Sequence, residues 1–403
     1  MRQFLIFSIF LIMGLAPLTS YAQKRPATLA SHAFMVDFDT GMVLYEKNPD
    51  MRMPTSSMSK VMTMYVIFEA LKNGQISLND EFLVSEKAWR KGGSKMFVEV
   101  DKSVRVEDLV RGVIVQSGND ATIVLAKGLA GTEEYFAKAL TAKAKELGMS
   151  NSNFMNASGW PDPEHYSTPR DLATLGVAII KNFPDYYGYY AEKEFTYNNI
   201  TQRNRNPLLY RNIGADGIKT GHTDVGGYGL IGSGVHNGRR VVLVVNGLED
   251  EQARAKESAK LLEWGLRGFQ NVSLLKGDEP VAKIDVAMGK DDSIVAVTGR
   301  DLDITLPTLE RQGLKIEVRM TEPLIAPIEK GQKIGMMSIH VPQLTTLDVP
   351  LLAVQDVPRM GLISRTFTKA KMLFFSRAQP KTETVATKKV LRAPEPMAKE
   401  NNG

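Results

Sequence analysis

The stretch TSSMSKVMT, from Thr55 to Thr63, sets three serines around one lysine. Serine needs a base to act as a nucleophile at neutral pH, and the nearest histidine in sequence, His32, lies far upstream. On a helix, residues three and four apart share a face, so the Lys60 amine comes within reach of both Ser57 and Ser56, while Ser59 points elsewhere. Spacing leaves those two. Pro54 and Thr55 place a helix start here, where a serine tends to turn its oxygen back onto the first backbone amides. That capping role suits Ser56. Ser57, in the first turn, would keep its own amide free to help bind an oxyanion. A lysine acting as base must be neutral, although free lysine titrates near ~10.4; burial and a nearby second cation both push that value down. The apolar run after Lys60 supplies burial, and the cation has to come from another part of the chain.

Two distant stretches carry groups of the right kind. VQSGNDAT places Ser117, Gly118 and Asn119 just before an apolar helix predicted from Ala121 to Leu129, and GADGIKTGHTD places Lys219, Thr220 and Gly221 just before the first strand of a hairpin. Each alone is an ordinary turn or strand end. In this order, with these contexts, they match the set of Ser-x-x-Lys, Ser-Asp-Asn and Lys-Thr-Gly found in class A β-lactamases and penicillin-binding proteins. Over essentially its whole length the chain resembles the low-molecular-mass penicillin-binding proteins, which are serine D-alanyl-D-alanine carboxypeptidases. SMSK at 57–60, SGN at 117–119 and KTGHT at 219–223 carry the likeness, followed by a β-rich segment and a basic amphipathic C-terminus.

The resemblance implies a penicillin-binding-protein/β-lactamase-like transpeptidase fold in the α/β class, an antiparallel sheet with a helical insert, followed by a small all-β domain. It implies Ser57 as nucleophile on a peptidoglycan stem peptide ending in D-Ala-D-Ala, Lys60 as the base, and Ser117, bonded to both lysines, as relay to the leaving amine. Asn119 would hold the substrate backbone. Lys219 and Thr220 would bind the terminal carboxylate, and Gly221 would let the substrate lie against the strand. The oxyanion hole would use the backbone amides of Ser57 and His222, with Lys219 as the second cation beside Lys60. No cofactor and no metal is implied. β-Lactams would acylate Ser57. Class A β-lactamases differ by an Asp in the middle of the second motif, here Gly118, and by a Glu-x-x-Leu-Asn loop. The nearest acid here is Glu164 in GWPDPEHYST. That departure implies slow deacylation, hence a penicillin target. A D,D-endopeptidase, a β-lactamase and a non-catalytic peptidoglycan scaffold are the alternatives.

The elements that must position these residues are legible in outline. FMVDFDTGMVLYE, from Phe34 to Glu46, reads as a β-hairpin, as do YGLIGSGV and RRVVLVVNG around His236-Asn237-Gly238, whose Asn-Gly pair suits a turn with two positive φ angles. VMTMYVIFEAL is apolar nearly all round and predicts a buried helix. Thr132 to Leu147 and EQARAKESAKLLEWGLRGF predict two more helices. Beyond Asn271, short β-type runs separated by turns read as an all-β domain. The expected organisation is a signal peptide over 1–22, a D,D-peptidase domain over 23–270, a β-rich domain over 271–358, an amphipathic helix over 359–377 and a disordered tail over 378–403.

Composition bounds the setting. Arg2, the apolar run to about Leu18 and Ser20-Tyr21-Ala22 have the layout of a secretory signal cleaved after Ala22, which implies export across the inner membrane to the periplasm. The chain has no cysteine, which excludes disulfides and a lipid-modified N-terminal cysteine. Of the formal charge of +5, a net +7 lies beyond residue 358, so residues 23–358 are slightly acidic. That pattern argues against nucleic acid as a partner and for an anionic membrane surface touching the C-terminal stretch, where Met360, Ile363, Phe367, Ala370 and Phe374 recur at helical spacing. His222 beside the third motif would act through its backbone, and His32, His165, His236 and His340 are expected at the surface or in turns.

Overall fold

The computed structural model describes residues 25–308, 314–321, 323–361 and 383–384. Strands β1 (His32–Asp37) and β2 (Val43–Lys47) form the first hairpin. The chain then leaves the sheet for helices α1 (Lys60–Lys72), α2 (Asn119–Ala130), α3 (Glu133–Glu146) and α4 (Pro169–Asn182). It returns as β3 (Ala215–Thr223), β4 (Gly227–His236) and β5 (Arg239–Leu248), and closes with α5 (Glu251–Arg267). The sheet order β2-β1-β5-β4-β3 is antiparallel throughout and joins the two ends of the segment, leaving β3 at an edge. Asn237 and Gly238 take φ of 51° and 79°, the two positive angles that the Asn-Gly turn requires.

Alternation along β5 sets the layering. Val241, Leu243 and Val245 pack with Leu261, Leu262 and Leu266 of α5 on one face, while Val242 and Val244 join the helical core on the other. Helix α1 is buried on nearly every side, which its all-round apolar sequence foretells. Thr132 caps α3 by accepting from the Tyr135 amide, and Gly148 follows the helix at φ 82°.

The second domain contains β6 (Phe269–Leu275), β7 (Ala282–Asp285), β8 (Ser293–Val297), β9 (Leu302–Pro307), β10 (Lys315–Met320), β11 (Lys333–His340) and β12 (Leu347–Ala353). Strands β6 and β9 pair apart from the six-stranded sheet, in which β13 (Glu383–Thr384) pairs with β7. That strand corrects the expectation of disorder over all of 378–403; the remainder of the tail, the 1–22 signal and most of the 359–377 helix lie outside the described residues. The turn between β1 and β2 ties the two domains together. Asp37, fully buried, accepts from Arg239 at 2.6 Å and from Asn271 at 2.9 Å, and Thr40 shares a 2.6 Å hydrogen bond with Thr305. Met42 packs within the core of the second domain.

Candidate active site

Ser57 lies in a 3-10 turn, Ser56–Ser59, that runs directly into α1. The turn packs against β3, and only a glycine at 221 permits this. A Cβ there would stand 2.9 Å from the Thr55 carbonyl and 3.1 Å from Met58 and Ser56. Gly221 therefore serves the packing of the nucleophile turn. Lys60 begins α1, fully buried, with its Nζ 2.7 Å from Ser57 Oγ, and donates to Asn119 Oδ1 at 2.7 Å and to the Ser158 carbonyl at 2.8 Å. Ser57 itself stays partly exposed. A half-open hydroxyl against a buried amine is the geometry that general-base activation needs.

Burial holds the Lys60 amine down to about 7, helped first by the Arg205 guanidinium and then by Lys91, and opposed by Asp120. Lys219 had been expected to be that second cation. Its own amine is pushed well below the lysine range by burial, by Lys60, by Arg205 and by Arg254. Arg205, whose guanidinium keeps its charge in proteins, supplies the field at Lys60. Sequence reasoning missed it because NRNP, in the loop before β3, carries no spacing that ties it to the serine.

Ser117, at φ 60°, and Asn119 enter from the start of α2. Asn119 bridges the site, accepting from Lys60 and donating to the Gly92 carbonyl at 2.8 Å. The Ser117 hydroxyl is buried but, among the described residues, hydrogen-bonds neither lysine. Asp120 is a second omission of the sequence reading. Its buried carboxylate accepts from the amides of Met96, Phe97 and Val98 and fixes the 92–98 loop over the site. A Cβ at Gly118 would stand 2.8 Å from that carboxylate, so an aspartate at this position has no room.

Three further corrections concern the turn. Ser56 does not cap a helix; at φ 51° its hydroxyl reaches Thr223 Oγ1 at 3.3 Å. Ser59 points away from Lys60 as helical spacing requires, and meets His165 at 2.8 Å. His165, expected at the surface or in a turn, closes the turn that begins at Asp162 and is buried there. It accepts from the Met155 amide on Nδ1, so Nε2 carries the hydrogen and donates to Ser59, which in turn contacts Thr55. Burial pushes this imidazole down to about 4, and it is neutral at pH 7. Gly159, at φ 77°, lies so close to the Ser56 carbonyl that a Cβ would collide with it. The conspicuous Gly-Pro content of SGWPDPE was the signal available for that loop.

Lys219 and Thr220 are buried on β3, the Lys219 amine donating to the Thr220 carbonyl at 3.1 Å. Arg254 of α5 is also buried, and its Nε has no hydrogen-bond partner among the described residues. His222 is exposed and stacks on Tyr228 with ring centroids 3.9 Å apart. Cations thus gather at one end of the site around an edge strand whose outer backbone groups are free to pair. Glu164 is exposed, and its side chain makes no hydrogen bond among the described residues.

Residues 19–250 match the family model for D-alanyl-D-alanine carboxypeptidase, and residues 269–359 match that for the C-terminal domain of penicillin-binding protein 5. A relative from Escherichia coli K12, D-alanyl-D-alanine carboxypeptidase DacC, is 36% identical over 374 residues, spanning 91% of this chain and 94% of its own. A D-alanyl-D-alanine endopeptidase of the same organism is 31% identical over 250 residues, 60% of this chain and 78% of its own. The crystal structure of penicillin-binding protein 5 from Haemophilus influenzae superposes with a TM-score of 0.73 at 36% identity, covering 83% of this chain and 99% of that one.

Proposed function

We propose, from the premise that the chain belongs to the D-alanyl-D-alanine carboxypeptidase family, that Ser57, Lys60 and the groups converging on them remove the terminal D-alanine from peptidoglycan pentapeptide stems. The observation that carries this assignment is the 2.7 Å contact between Ser57 and a buried lysine titrating at about 7. The enzyme is a serine-type hydrolase, and penicillins react at the same serine.

In the proposed sequence Lys60 takes the Ser57 proton as Oγ attacks the carbonyl of the D-Ala-D-Ala bond. The backbone amides of Ser57 and His222 receive the oxyanion. The C–N bond then breaks, the departing amine takes up a proton through Ser117, and an ester to Ser57 remains. Water, with Lys60 again as base, releases the shortened stem. Asn119 orients Lys60 and the substrate backbone. Lys219, Thr220 and His222 line the path of the substrate along β3, and a carboxylate arriving beside Lys219 favours its ammonium form, giving a charge-assisted contact. The match of residues 269–359 to the C-terminal domain of penicillin-binding protein 5 favours this reading over an endopeptidase. Incubation with a pentapeptide ending in two D-alanines and with a cross-linked dimer tests it: free D-alanine from the first is expected, and release of monomer from the second alone would favour the endopeptidase.

We further place the enzyme in the periplasm, exported by the 1–22 signal and held at an anionic membrane surface through residues 359–377. Support comes from the sequence pattern; among the described residues no helix is long and apolar enough to cross a membrane. Truncation after residue 358 is expected to release the protein from vesicles at moderate salt, and retention would contradict the attachment.

A further inference from the structure

At one end of the second domain the outward face of the chain has the wrong polarity for water. Residues 323–328 run extended, with Ile325 bridged to Ala287 and Ile328 to Val357. Burial alternates along them: Leu324, Ala326 and Ile328 point into the domain core, while Pro323, Ile325 and Pro327 point out. A half-buried strand ordinarily turns polar side chains outward. Here the outward row is apolar as well. Ile325 is 49% exposed, and among the described residues of the second domain no other large apolar side chain is as exposed.

Little of this backbone needs water. The Ala326 and Ile328 amides donate to the Ala287 and Val357 carbonyls at 3.0 Å, and the Leu324 carbonyl accepts from the Ala287 amide at 2.8 Å. The Ala326 carbonyl accepts from Arg359 Nε at 3.0 Å. Pro323 and Pro327 have no amide hydrogen to satisfy. An apolar row on a paired backbone suits a layer poor in water.

The course of the chain identifies that layer. The described residues leave this end of the domain at Met360, whose amide donates to the Met288 carbonyl at 3.0 Å, and at Gly361. They resume at β13, which pairs antiparallel to β7 and so runs away from Met288. Residues 362–382, with five Lys or Arg and no acid, are therefore tied at both ends to the end of the domain that carries Ile325. Charge near Ile325 itself is mixed, since exposed Lys290 and Arg359 are offset by exposed Asp291 and Asp292. Attraction to anionic lipid thus comes from 362–382, and the Ile325 row adds apolar contact.

We propose that the row of Pro323, Ile325 and Pro327 is a second membrane contact, seated among the lipid headgroups and holding the second domain in one orientation to the bilayer. The contact rests on the attachment through residues 359–377 and goes beyond it by assigning a folded surface to the lipid.

The test places a tryptophan in the row, Ile325→Trp, in the mature chain 23–403, whose own Trp89, Trp160 and Trp264 all lie before the second domain. Emission of the variant less that of the wild type reports residue 325. With vesicles of phosphatidylcholine and phosphatidylglycerol whose acyl chains are brominated, that emission is expected to be quenched, and to recover when salt releases the protein. Ile325→Ser is expected to lower the vesicle partition coefficient about threefold to tenfold, the effect of burying one half-exposed isoleucine. Vesicle binding without quenching at residue 325 overturns the contact and leaves the attachment standing. Failure of the wild type to bind overturns both. Shielding of residue 325 from an aqueous quencher before vesicles are added would show that residues 362–382 cover the row, and would also overturn the contact.

Discussion

If Lys60 is the base, the rate of acylation by a penicillin follows the neutral fraction of an amine titrating at about 7. Half of such an amine is neutral at pH 7 and about 1% at pH 5, so the second-order acylation constant is expected to drop roughly 50-fold across that interval and to rise only about twofold from pH 7 to pH 9. A lysine with its ordinary value near ~10.4 would instead give a rise approaching ~100-fold between pH 7 and pH 9. The two profiles are separable by stopped-flow acylation with a fluorescent penicillin. Arg205→Met removes the cation that bears most on Lys60 and is expected to move the midpoint upward; Lys91→Met moves it in the same direction by less. The sign carries over to stability. A lysine whose folded value lies below its unfolded one binds fewer protons when folded, so stability rises with pH between about 7 and about 10.4. A profile that climbs steadily to pH 10, or a midpoint indifferent to Arg205, would refute Lys60 as a buried neutral base.

Other consequences follow from packing. Gly159→Ala forces a methyl onto the Ser56 carbonyl at a positive φ and is expected to cut penicillin acylation at least ~100-fold while costing about 2 kcal/mol in denaturant unfolding. Gly118→Asp introduces the β-lactamase-like residue but sets its Cβ 2.8 Å from a carboxylate oxygen of buried Asp120 and 3.0 Å from the Met96 amide nitrogen; loss of acylation is expected, with no gain in penicillin hydrolysis measured by the release of penicilloate. Asp37→Ala strands buried Arg239 at the domain junction and is expected to cost about 3 to 5 kcal/mol in unfolding, while acylation per folded molecule stays near wild type.

The parts of the site legible in sequence are those that spacing along one element fixes. Ser57 and Lys60 are three residues apart across a single turn and lie where that turn puts them, whereas Lys219 to Gly221, read as preceding the first strand of the hairpin, lie within a strand of their own, β3. The hairpins and helices were legible for the same reason, through period-2 and helical apolar patterns. Arg205, Asp120, Gly159 and His165 were not legible, because each comes from a loop or helix start that meets the nucleophile turn only through tertiary packing. The capping role expected for Ser56 fails for a related reason. The turn is 3-10 and packs against β3, which draws the Ser56 hydroxyl across to Thr223. Gly221 and Gly118 were identified as glycines, but the atoms that exclude a side chain there belong to Thr55 and Asp120, on elements distant in sequence.

The central claim is that Ser57 is the nucleophile. Peptide-level mass spectrometry after exposure to a penicillin tests it most directly, with Ser57→Ala and Ser56→Ala measured in parallel. One long-lived adduct on Ser57 is expected, absent in Ser57→Ala and retained in Ser56→Ala, which loses only the 3.3 Å hydrogen bond to Thr223. An adduct on Ser56, Ser59 or Ser117, or one that survives Ser57→Ala, would contradict the account.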